Sequence, residues 1–444
     1  MKRLDASRRA MFPGVAPARD MTTRTIESLF VAAVRFAVVS ILAGARAFAQ
    51  EPTTTPPATR ADAIAQERAE KLIELWPERQ SPAVNIANGW LERGLKEGLD
   101  TGRGANGLQV VLGDMRAAQG LAAGLGYRRS DLFRERLGYR GTVRGTLQGA
   151  YMLDFNLDFQ GLRTQRTRLR WYSKYEHSPA IDYFGSGSQS TEDRHTSFLY
   201  NDGSSDFDAS FEPVRFLHIG ATGGYYHAHT GESDEGLPPV SELFPPGTLP
   251  GFQQDTHYTR IGVFAFADSR DSLTGPRSGG VYGVRYREYW DVDRRAYAFR
   301  QTEWEFQQYL PYFNRSRVLA LRGAVVLSFP KEGDVLPFYL QPTLGGSDEL
   351  RGYVPYRFRD NHSLALTVEH RWHVLSLLDM ALFADAGKVA ARRQDLNLSD
   401  LRYSGGLGFR FRIGSAVVGR VDLAKSPEGF RFIGTFGDAF LPKW

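Results

Sequence analysis

From residue 107 to about residue 438 this chain repeats every second residue, not every third or fourth. In 153–159, Leu153, Phe155, Leu157 and Phe159 alternate with Asp154, Asn156 and Asp158. The same alternation runs through 167–175, 319–329 and 364–374, and again at Leu407, Phe409 and Phe411 against Gly408, Arg410 and Arg412. Side chains on a strand point to opposite faces in turn, so each such run has one oily face and one wet face. In a soluble sandwich the oily face would meet a second sheet. Here the segments are long, about 9–14 residues, and the wet face is rich in arginine, as expected of strands that tilt across a bilayer around a watery interior. Closure into a barrel leaves no backbone group unpaired in lipid. The chain therefore reads as an all-β, transmembrane antiparallel β-barrel of about 16 strands spanning 107–444, with a short helical N-terminal extension. A negative mean hydropathy excludes a bundle of membrane-spanning helices.

The spacing of turns supports this orientation. Turn-sized gaps at 202–205 and 413–416 contrast with long segments at 178–192, 229–256 and 330–360. Short turns on one side and long loops on the other are the asymmetry of outer-membrane barrels. The first strand is expected at about 107–128 and the last at 428–438. Gly120, Gly124, Gly126, Gly429 and Gly434 would weaken the pairing of these two strands into a seam.

The N-terminus reads as an address. Lys2, Arg3, Arg8, Arg9, Arg19 and Arg24 precede an apolar run, Leu29 to Gly44, followed by Ala47-Phe48-Ala49. This is the layout of a secretory signal over 1–49, cleaved after Ala49, with Met21 as an alternative start. Residues 1–49 carry 8 Lys/Arg against 3 Asp/Glu, so the whole net charge of +5 resides there. The remainder is neutral, which gives no case for a nucleic-acid partner. A Pro/Thr-rich linker at 51–60 and helical periodicity over 61–76 and 83–98 make 50–106 a periplasmic linker and short helical extension. The absence of cysteine removes disulfides, thiolate metal sites and a cysteine nucleophile.

One loop stands out. Gly345, Gly346 and Gly352 flank Leu350-Arg351-Gly352-Tyr353 between two strong strands. Glu369 and Asp385 follow at inward-facing strand positions. A loop arginine that folded into the bore would pair with such carboxylates. Spacing alone leaves the alternative, a solvated extracellular arginine, open.

At these residues the sequence resembles the bacterial surface antigen barrels of the BamA and TamA assembly proteins and the two-partner secretion transporters. Leu350-Arg351-Gly352-Tyr353 is similar to their arginine-glycine-aromatic loop signature. Asp268-Ser269-Arg270-Asp271 with Gly275-Pro276-Arg277-Ser278-Gly279-Gly280 resembles their strand and turn before the middle of the barrel. Tyr183-Phe184-Gly185-Ser186-Gly187 and Leu382-Phe383-Ala384-Asp385-Ala386-Gly387 resemble further segments of the family, as do Ser404–Arg410, Arg420–Leu423 and Phe430–Gly434 with a closing Phe440. The resemblance implies sixteen strands, a sixth outer loop latched in the lumen by Arg351, and Glu369 and Asp385 as its acceptors. Five strands are expected after that loop, at 361–374, 377–388, 402–412, 416–424 and 428–438. Between Gln50 and Gly107 there is no room for a complete POTRA module with its linker, so the chain resembles a POTRA-less member.

No Gly-x-Ser-x-Gly elbow or phosphate loop occurs, and no enzyme activity, cofactor or metal is expected. His218, His227, His229 and His257 read as interfacial loop histidines. The expected function is outer-membrane protein or lipid assembly, or export, in a Gram-negative outer membrane. The weak seam carries it, with Gly429, Phe430, Phe432, Gly434, Phe436 and Phe440 on the terminal strand. Partners would be outer-membrane lipids and lipopolysaccharide, with client or accessory envelope proteins. The alternative is a passive plugged channel or porin, or a surface adhesin. Its anion preference would come from inward Arg168, Arg170, Arg285, Arg287, Arg322, Arg410 and Arg412.

Overall fold

A computed structural model describes residues 59–60 and 106–436, apart from 117–119, 162–165, 246, 294, 314–315, 376 and 414–415. The proposed signal, nearly all of the 50–106 extension and Phe440 lie outside the described residues.

The wall opens with β1 (Gly107–Asp114), β2 (Leu121–Leu132), β3 (Leu137–Thr146), β4 (Tyr151–Gln160), β5 (Thr167–Tyr183) and β6 (Thr196–Val214). It continues with β7 (Leu217–Glu232), β8 (Asp255–Asp268), β9 (Gly279–Asp291), β10 (Phe299–Tyr312) and β11 (Arg317–Pro330). A two-stranded ribbon, β12 (Thr343–Leu344) with β13 (Phe358–Arg359), sits inside the next loop. The wall ends with β14 (His362–Leu375), β15 (Leu378–Ala390), β16 (Arg402–Ile413), β17 (Ala416–Ser426) and β18 (Gly429–Phe436). Sixteen strands pair in sequence order, β11 joining β14, each antiparallel to its neighbour. Five of them follow the long loop. The longest connections, 184–195, 233–254 and 331–361, all leave the same end, which loop asymmetry makes extracellular.

Register divides every strand between two solvents. Leu153 opposes Val143 and Tyr175, all outward, while Asp154 opposes Thr142 and Lys174, all inward. Outward side chains remain exposed, among them Leu108, Leu125, Phe207, Trp304, Phe430 and Phe432. Tyr127, Tyr139, Phe155, Trp171 and Phe207 form a continuous aromatic row across β2 to β6, each ring centroid 5.5–6.4 Å from the next. Such a row suits an aromatic girdle on a lipid-facing wall. At the extracellular end, Tyr183, Phe198, Phe244, Phe338 and Tyr339 pack together and cap the bore.

Three expectations change. Residues 107–128 do not form one strand but a hairpin, β1 and most of β2, registered Gly107 to Arg128. Gly120 lies in its turn and Gly124 and Gly126 lie on β2, one strand in from the edge. Residues 202–205 are no turn: they lie inside β6, where Asp202 and Ser204 face the polar lumen and Gly203 leaves space for the His227 ring. Finally, His218, His227, His229 and His257 are strand residues, not loop residues. His227 and His257 point outward and stack with ring centroids 6.2 Å apart, and His257 Nδ1 lies 2.9 Å from Asp293.

Candidate functional site

The loop between β11 and β14 turns back into the bore. Gly345 and Gly346 adopt φ of +115° and +95°, and a Cβ on Gly345 would overlap the Val354 carbonyl. The Gly346 amide donates to Tyr353 O at 3.1 Å and the Tyr353 amide to Leu350 O at 3.0 Å. These bonds place Arg351 at the tip of a tight bend. Leu344, Leu350, Tyr353 and Phe358 bury their side chains against Ala365 and Val389 of the wall. Gly352 fits where nothing larger would, since a Cβ there would lie 2.6 Å from Ser404 Cβ and 2.8 Å from Ser426 Cβ. The Ser426 hydroxyl donates to Gly352 O at 2.8 Å.

Arg351 is 1% exposed. Its Nε and Nη2 donate to the two oxygens of Asp385 at 2.9 and 2.8 Å, and its Nη1 to Glu369 at 2.7 Å. The guanidinium carbon sits 3.4 Å from the centroid of the Phe383 ring. The planar fork thus meets one carboxylate with two bonds, a second with one, and an aromatic face. Burial opposes the charged form, but Asp385 and Glu369 outweigh it and hold the Arg351 pKa above its ordinary value.

The site is wider than the three residues expected from sequence. Arg371 Nε donates to Glu369 at 2.7 Å and Arg410 Nη2 to Glu369 at 2.9 Å. Arg410 and Arg420 both pair with Asp422, and Arg420 also reaches Asp348 at 2.9 Å. Four guanidinium groups, of Arg351, Arg371, Arg410 and Arg420, thus balance four carboxylates, of Glu369, Asp385, Asp422 and Asp348. Neutrality matters because an unpaired buried charge is costly. Alternation alone places Arg371, Arg410, Arg420 and Asp422 on inward faces, but their mutual distances depend on register between strands.

The inward arginines singled out as a source of anion preference are paired with carboxylates. Arg168 meets Asp158, Arg170 meets Asp208, Arg285 and Arg287 share Glu303, Arg322 meets Glu305, and Arg412 meets Asp379.

The terminal strands form the second feature. β1 and β18 lie side by side, yet the sheet runs from one to the other without a ladder joining them among the described residues. Phe430, Phe432 and Phe436 share the outward face of β18, with Gly434 between them, and Phe430 and Phe432 are 70% and 73% exposed. Gly429 opens the strand at φ +128°. The edge strands thus contain Gly107, Gly113, Gly429 and Gly434. The β17–β18 turn is tied to the loop by Arg357, whose Nε donates to Glu428 at 3.0 Å.

Taken together, an oily exterior, a charged bore, sixteen antiparallel strands and an arginine-anchored inward loop define an outer-membrane β-barrel with a built-in plug. The sequence matches the Omp85 superfamily domain over residues 137–427. The chain belongs to the Omp85 superfamily, whose barrels reside in the Gram-negative outer membrane. Its fold is similar to that of BamA from Haemophilus ducreyi lacking POTRA domains 1–3, with a TM-score of 0.57 and 13% identity, covering 81% of this chain and 80% of that one. CdiB from Acinetobacter baumannii gives a TM-score of 0.45 at 12% identity, over 71% of this chain and 56% of that one. CdiB from Escherichia coli gives 0.46 at 12% identity, over 74% and 61%. No curated protein matches the sequence.

Proposed function

We propose that this barrel acts in outer-membrane protein or lipid assembly, or in export, through the seam between β1 and β18. The observation that carries the reading is that no ladder joins the adjacent edge strands β1 and β18 among the described residues. An edge strand with unpaired amides and carbonyls is a template for another strand, and inside a membrane those groups are under strong pressure to pair. Phe430, Phe432 and Phe436 give that edge an oily outer face at which lipid or an incoming strand meets it. Arg351 acts as the latch that holds the long loop inside and braces β14 to β17, with Glu369 and Asp385 as acceptors. The chain reaches the membrane through a signal cleaved after Ala49. Its partners in this reading are outer-membrane lipids and lipopolysaccharide, with client or accessory envelope proteins. No enzymatic step or cofactor is involved.

The pairing of Arg168, Arg170, Arg285, Arg287, Arg322, Arg410 and Arg412 with carboxylates weighs against an anion-selective pore, the competing reading. Depletion separates the two. An assembly role requires that loss of the protein change outer-membrane protein or lipid composition. An unchanged composition, together with a steady open conductance in planar bilayers, would reject it in favour of a channel. Photocrosslinkers placed on β18 would then name the client.

A further inference from the structure

The periplasmic hairpin turns are short, with one exception. Ten residues, 269–278, join β8 to β9, and they coincide with the Asp268–Asp271 and Gly275–Gly280 segments that the latch does not use. This turn does not hang into the periplasm. Arg277 Nη2 lies 3.3 and 3.4 Å from the two oxygens of Asp379 on β15. A Cβ on Gly275 would lie 2.6 Å from Val417 Cγ2 on β17. Those strands are four and six positions along the ring from β9, so the turn must cross the bore as a chord.

Its shape is built for the crossing. Asp271 accepts from the Arg277 amide at 2.9 Å and the Ser278 amide at 3.2 Å. Arg270 is clamped on Asp268 at 2.7 and 2.9 Å. Asp379 also accepts from Arg412 and pairs with His373, each at 2.8 Å, so one carboxylate gathers the turn and two strands. On the near side Leu273 borders a cavity of about 950 Å³ in the bore, lined by Arg168, Arg260 and Arg285.

We propose that turn 269–278 is a lower lid, folded across the periplasmic mouth and landing on the same wall that Arg351 reaches from above. The bore is closed at rest from both ends. This holds whether or not the seam admits a client, so the two ideas fail separately.

The chain has no cysteine, which makes an introduced pair a clean probe. Gly275→Cys with Val417→Cys would place the two Cβ atoms about 3.4 Å apart, close to the usual disulfide separation of about 3.5–4.5 Å. Purified full-length protein is oxidised, reconstituted and compared with its reduced form in planar bilayers. Arg277→Ala is measured beside it, with folding checked by heat-modifiability on gels. A lid predicts that the disulfide forms in the folded barrel and suppresses openings. It also predicts that Arg277→Ala makes openings more frequent, by up to about fivefold, the most expected from losing one partly exposed ion pair. Failure of the disulfide to form in folded protein would overturn the proposal. So would equal opening frequencies for oxidised, reduced and Arg277→Ala barrels.

Discussion

Replacing Arg351 with alanine tests the loop latch most directly. The guanidinium makes three hydrogen bonds to two carboxylates that are themselves fully buried. After Arg351→Ala, Glu369 retains Arg371 and Arg410. Asp385 retains the residue 351 amide at 3.2 Å and the Ser404 hydroxyl at 3.4 Å, with no guanidinium bonded to it among the described residues. Breaking a buried pair by removing one partner costs about 3–5 kcal/mol, because the other charge stays behind. Arg351→Lys should fall between wild type and alanine, since an ammonium cannot make the bidentate contact. Arg317→Ala is the control: Arg317 is exposed at the start of β11, over the Phe313 ring, and should shift stability by no more than about 0.5 kcal/mol. Urea unfolding in vesicles gives the energies, and heat-modifiability on gels gives the folded fraction. The gap between the two variants should persist at high salt, because screening acts mainly on exposed charges. Equal unfolding energies, or equal heat-modifiability, for Arg351→Ala and Arg317→Ala would refute the latch.

Other perturbations test neighbouring claims. Gly352→Val should destabilise by about 1–3 kcal/mol in the same urea assay, through overlap with Ser404 and Ser426. Arg410→Ala should cost several times more than Arg168→Ala, because Arg410 is fully buried between Glu369 and Asp422 while the Arg168 side chain is 51% exposed; paired unfolding curves decide it. Phe432→Arg places a cation on the lipid face of β18 and should cost up to about 2–4 kcal/mol if that position lies near the bilayer midplane. An unchanged unfolding energy would mean that Phe432 does not face lipid.

The fold was legible because lipid and lumen impose one strict rule on every strand. Leu153 to Phe159 states that rule in seven residues, and β4 follows it. Where the sequence misled, a second meaning of the same residue types was at work. Asp202-Gly203-Ser204-Ser205 has the chemistry of a turn, but a wet bore welcomes Asp202 and Ser204, so the strand continues. The alanines and glycines of 121–126 look like an extension of β1, yet they belong to the next strand, paired antiparallel with it. Arg351 was legible as a loop residue facing two later carboxylates. Arg420 and Asp422 were visible as inward residues, but their membership of one charge network rests on the registers of β14, β15, β16 and β17, which no local pattern encodes.

The charge network has a mechanical consequence. Its members come from β14, β15, β16 and β17 and from the loop folded against them, and Arg357 ties the β17–β18 turn to the same mass. Across the gap, β1 is eight residues long and its ladder among the described residues is with β2, while Arg116 just past it pairs with Glu176 on β5 and Asp202 on β6. One side of the opening is therefore braced by a whole charge network and the other by a single arginine. Were the gap to widen, the N-terminal edge, with fewer ties, would move further than the C-terminal wall.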